Sequence, residues 1–204
     1  MPEPNANTRL EAFCDGVFAI ALTLLIIDIK IPSTANINST ADLWLALKHI
    51  LPSISAFVLS LIIILITWVN HHASLKLLNR SSASFIYANG FMLLAIVFIP
   101  FPTSLMGEYI LTDHAAPAVI LYNFNLAILA IGWILFTGSA LKDHLGRNEK
   151  SVLENRNSLK YAFFAFVIYS FFAIAAIWFP LVIAIVTTLT WIFWLILGLK
   201  ARHE

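Results

Sequence analysis

The chain has 204 residues, 60% hydrophobic and only 11% charged, with a formal charge of +1 and a mean hydropathy of +0.88. These values lie far outside the soluble range and indicate an integral membrane protein whose first partner is the lipid bilayer. They exclude nucleic-acid binding, which needs a basic face, and the lone Cys14 excludes an intrachain disulfide or a cysteine metal cluster.

A bilayer core of about 30 Å takes about 20 apolar residues of helix, and runs of that length occur six times. The first covers residues 9–31 and stops at Pro32, before the polar loop of residues 33–42. Its leader carries Glu3 and Glu11 beside Arg9, unlike the positive leader of a signal peptide, so it is expected to persist as a mature helix. The second run covers residues 43–70, with Pro52 marking a kink or an interfacial first turn. The third covers residues 85–105 and is broken toward its far end by Pro100 and Pro102. Pro117 suits the first turn of the fourth, residues 117–141, because its missing N–H would lack a partner there anyway. After a charged loop over residues 142–158, residues 159–199 are too long for one span, and Pro180 divides them into two. The expectation is an all-α integral membrane protein, residues 1–204 forming one six-helix transmembrane domain.

Arg9, Lys76, Arg80, Lys142, Arg147, Lys150, Arg156, Lys160, Lys200 and Arg202 then fall on one side, and only Lys30 and Lys48 on the other. The positive-inside bias places both termini in the cytoplasm.

On the first helix, at about 100° per residue, Gly16, Ile20, Thr23, Leu24, Ile27 and Ile31 share one stripe. Such a stripe either packs against neighbouring helices and lipid, or lines a narrow water path that gates by dewetting, with the Thr23 hydroxyl offering oxygen to a cation. Helical spacing alone leaves both readings open.

Ionisable groups inside spans are costly, about 2.5 to 3.5 kcal/mol at the centre on insertion scales, so they are functional candidates. The six-span topology brings Trp68, His71, His72 and Asn89 to the depth of Arg9 and Asp15, where a buried polar knot would satisfy Arg9, Asp15, either histidine and Asn89. Asp28 sits on the flank of the stripe, where an acidic pore mouth competes with plain interfacial solvation. Adjacent His71 and His72 diverge by about 100° and no His-Glu-x-x-His sequence occurs, so neither a catalytic role nor a resident metal or cofactor is expected.

Three segments carry a family resemblance: Arg9-Leu10-Glu11-Ala12-Phe13-Cys14-Asp15, Trp68-Val69-Asn70-His71-His72, and Asn89 through Pro100-Phe101-Pro102-Thr103. They resemble the transmembrane protein 175 family of potassium channels, whose hallmark is an Arg, three residues, then Phe-Ser-Asp. Here Cys14 replaces the serine, a weaker hydrogen-bond former. The resemblance implies a bacterial plasma-membrane homotetramer passing potassium and other monovalent cations passively through a central pore lined by the first helix. It assigns Ile20, Leu24 and Ile27 to the apolar constriction and Thr23 to selectivity, while Arg9, Phe13, Asp15, Trp68, His71, His72 and Asn89 are expected to form a structural polar network. The competing expectation is a secondary transporter using a proton on Asp15 or a histidine, although an evident pair of broken helices at matching positions is lacking.

Overall fold

The computed structural model of the chain describes residues 7–27 and 29–200. Among them are eight α-helices and one 3-10 turn, Thr34–Asn36. The helices are α1 (Thr8–Leu24), α2 (Thr40–His49), α3 (Leu51–Lys76), α4 (Ala83–Phe98), α5 (Pro100–Tyr109), α6 (Ala115–Lys142), α7 (Glu149–Ala175) and α8 (Pro180–Lys200). Among the described residues, four units are long and apolar enough to cross a membrane: α3, α4 with α5 as one bent helix, α6 and α7.

Helix boundaries follow proline and capping chemistry. α1 stops at Leu24, short of the expected residue 31. Ile27 N–H then bonds the Leu24 carbonyl at 3.2 Å and Ile29 N–H the Ile26 carbonyl at 3.2 Å, tight closures over β-branched residues that hold a helix poorly. The second expected run is two helices rather than one. Pro52 has no N–H for the Lys48 carbonyl and its ring crowds that group, so the chain breaks at Ile50 and α3 restarts with proline in its first turn. Pro100 acts more mildly. The Ile96 carbonyl takes the Ile99 N–H at 3.1 Å instead, and α5 continues from α4 after a bend.

The largest difference lies in the supposed loop of residues 142–158, most of which is helical. Asn148 caps α7 by accepting the Ser151 N–H at 2.9 Å, and Ser151 and Asn155 are buried, so the polar first turns dock on protein.

Helix α6 is the central post, packed along α7 and against α4, α5 and α8. Two glycines permit close crossings of the kind small residues support in membranes. A Cβ on Gly132 would lie 2.8 Å from the Met92 Cα, and one on Gly107 would lie 2.6 Å from the Ser53 Cα. At one end of the bundle the α3–α4 and α6–α7 loops are clipped together. Asn79 N–H bonds the Leu145 carbonyl at 3.0 Å, Arg147 N–H bonds the Leu77 carbonyl at 2.9 Å, and the Ser82 and Ser84 hydroxyls donate to the Asp143 carboxylate. Those hydroxyls, Ser82 foremost, hold the Asp143 carboxyl below its ordinary range.

Inside the bundle, several hydroxyl and amide groups pair across helices, as burial favours. Ser60 meets Thr103 at 2.6 Å, Thr187 donates to Asn123 Oδ1 at 2.9 Å, and Trp194 Nε1 donates to the Tyr169 hydroxyl at 2.9 Å.

Candidate functional site

The first helix has two faces of opposite character. Cys14, Phe18, Ala21 and Leu25, at three- and four-residue spacing, are buried against α3 and α4. About 180° around lie Ile20, Thr23, Leu24 and Ile27, all exposed, with Ile20 58% and Ile27 71% accessible. The expected stripe therefore lies on the surface of the subunit among the described residues. Thr23 donates its hydroxyl proton to the Ile20 carbonyl at 2.9 Å, which leaves the oxygen lone pairs as the free part of the side chain. Asp28, weighed as an acidic mouth, lies outside the described residues.

Near the start of α1 the structure gathers five of the seven residues expected in the polar framework. Trp68 Nε1 donates to Asp15 Oδ1 at 2.8 Å, and the Trp68 ring stacks on His72 with centroids 6.0 Å apart. His71 Nε2 lies 2.8 Å from Asn89 Oδ1, and Asn89 Nδ2 donates to Cys14 Sγ at 3.1 Å. An amide that gives its N–H to sulfur accepts at its oxygen, so the His71 proton sits on Nε2 and the chain of donors runs His71 to Asn89 to Cys14. All three residues are buried, as Trp68 and Asp15 are in part. The two histidines point to different partners, and among the described residues no group of His, Cys, Asp and Glu is arranged to hold a metal.

Arg9 and Phe13 are not in this knot. Both are exposed, and at about 100° per residue they fall on the same side of α1 as Ile20 and Ile27. The expected place of Arg9 in the knot is thus not taken, because Asp15 is turned toward α3 while Arg9 heads the outward stripe. Sequence reasoning also missed an aromatic enclosure. Phe18 and Phe136 lie 5.4 and 5.3 Å from the His71 ring, and Trp133 packs on Phe136 at 5.5 Å. The three-residue spacing of Trp133 and Phe136 was the available signal, but periodicity does not say what an aromatic pair faces.

Comparison with known proteins meets the same residues. The family model for the endosomal/lysosomal potassium channel TMEM175 matches residues 9–100, a segment holding the stripe and every member of the knot. A potassium channel of Chamaesiphon minutus is 41% identical over 145 residues, 71% of this chain and 71% of that protein. The chain belongs to the TMEM175 family. Another relative, a potassium channel of Streptomyces collinus, is 39% identical over 64% of this TMEM175-family chain and 65% of its own length. The crystal structure of a lysosomal potassium-selective channel TMEM175 homolog from Chamaesiphon minutus superposes with a TM-score of 0.83 at 32% identity, covering 93% of this chain and 96% of that one. The bundle is thus the TMEM175 channel fold.

Proposed function

We propose that this TMEM175-family chain is a passive, potassium-preferring cation channel of a bacterial plasma membrane, assembled as a homotetramer around four copies of α1. The observation that carries the reading is the outward stripe of Ile20, Thr23, Leu24 and Ile27, opposite the buried face of the same helix. Apolar side chains brought together around an axis make a constriction that closes by dewetting, and the Thr23 oxygens can replace part of a cation's hydration shell.

Six spans complete the topology. α8 has 21 residues, which span the hydrocarbon, while the 17 residues of α1 reach about 25 Å and the turns after Leu24 extend them. The clustering of Lys and Arg supports cytoplasmic termini. In this arrangement the knot of Asp15, Trp68, His71 and Asn89 fixes the depth and rotation of α1. Asp15 is engaged by Trp68 rather than standing free, which weighs against a proton-coupled transporter.

Purified protein in liposomes tests the reading. Potassium flux should follow the potassium gradient alone, with a reversal potential that a proton gradient does not shift. Flux that requires a proton gradient would overturn the channel reading in favour of transport.

A further inference from the structure

The short helix α2 stands between the first helix and α3 and buries none of its residues in the subunit. Its sequence divides by face. At about 100° per residue, Leu43, Trp44 and Leu47 occupy one arc, Asp42, Leu45 and His49 occupy the opposite one, and Lys48 stands on the flank beside Trp44. The three residues of the apolar arc are exposed, Trp44 to 65%. Apolar exposure continues into α3, where Leu51, Ile54, Val58 and Ile62 follow at three- and four-residue spacing and all are exposed.

The length of α3 decides where α2 must lie. Its 26 residues rise about 39 Å, more than the hydrocarbon core of about 30 Å, so Leu51 already stands at the headgroup level. A straight continuation would carry three large apolar side chains into water. The break at Ile50, enforced by Pro52, frees α2 from the α3 axis, and the Ser39 hydroxyl closes its start by accepting the Asp42 N–H at 3.1 Å. A short helix with Trp and Leu on one face, Lys at its flank and Asp42 and His49 opposite has the pattern of an interfacial helix, with Lys48 able to reach phosphodiester groups.

We propose that α2 is a membrane-surface helix that lies in the phospholipid headgroup layer where α3 begins, its Leu43–Trp44–Leu47 face toward the acyl chains. This rests on α3 crossing the bilayer and not on α1 lining a pore, so either claim can fail without the other. The occupant of the face is lipid rather than a second copy, because the face adjoins the apolar surface of a membrane-crossing helix and is flanked by cationic Lys48.

Single cysteines at Leu47→Cys and His49→Cys, labelled with an environment-sensitive fluorophore in phosphatidylethanolamine–phosphatidylglycerol vesicles, test the assignment. Unsubstituted protein supplies the background, since Cys14 is buried. Position 47 should emit to the blue, be quenched by shallow spin-labelled lipid, and be quenched by aqueous iodide several-fold less than position 49. Trp44→Cys should behave like position 47. Equal iodide quenching at 47 and 49 would put α2 in water and overturn the proposal. Protection of position 47 from both quenchers would place a second copy on the face and overturn it equally.

Discussion

Cys14 sits at the end of a donor chain that begins at His71 and passes through Asn89. Sulfur is a weak acceptor, so Cys14→Ser, which supplies an oxygen in the same place, should raise the thermal unfolding temperature in detergent, with a gain of at most about 1 kcal/mol. A fall would mean that the pocket is shaped for sulfur. Asn89→Leu removes both bonds at once and strands the His71 N–H in an aromatic enclosure. A loss of about 1–3 kcal/mol is expected, read from the same melts, and an unchanged melt would show the knot to be incidental. The members of the knot were legible in sequence because polar residues in apolar runs stand out. Arg9 was misplaced for a physical reason: shared depth suggested that it joins the knot through neighbouring helices, but its rotation about α1 turns it outward, away from α3 and α4.

At the scale of elements, prolines and caps carried the information. Pro52, Pro100 and Pro180 marked real breaks or bends, whereas the polar start of α7 read as loop because its charges hid the Asn148 cap and the buried Ser151 and Asn155. The α4–α6 crossing depends on Gly132. Gly132→Leu would drive side-chain atoms into the Met92 backbone and should cost about 1–3 kcal/mol or prevent assembly, measured by melting and by size-exclusion profile. A wild-type profile and melt would mean that the two helices do not approach so closely. The loop clip has a pH signature. The Asp143 carboxyl is held below its ordinary value of 3.8, mainly by the Ser82 hydroxyl, so its contribution to stability is present above that value and fades as pH falls through the lower folded value. Asp143→Asn should lower the melting temperature near neutral pH and abolish that acid-side dependence. Identical acid-side profiles for the two proteins would show that the clip carries no charge dependence.

For the whole molecule, hydropathy revealed the class, and the resemblance in the first half of the chain carried the family and its function. A single subunit with a largely apolar helix face turned outward is incomplete without either lipid or other copies, and no periodicity in one chain distinguishes them. Assembly from four subunits of 22.8 kDa each is the expected outcome of native mass measurement, and a monomer or dimer that still conducts would contradict a central four-helix pore.

The proposed gate is tested most directly by Ile20→Asn in liposomes. Replacing an exposed apolar side chain by an amide rehydrates the constriction, so potassium flux per assembled tetramer should rise and selectivity over sodium should fall. Unchanged flux and selectivity in a properly assembled tetramer would remove Ile20 from the pathway and, with it, the claim that the outward face of α1 forms the pore.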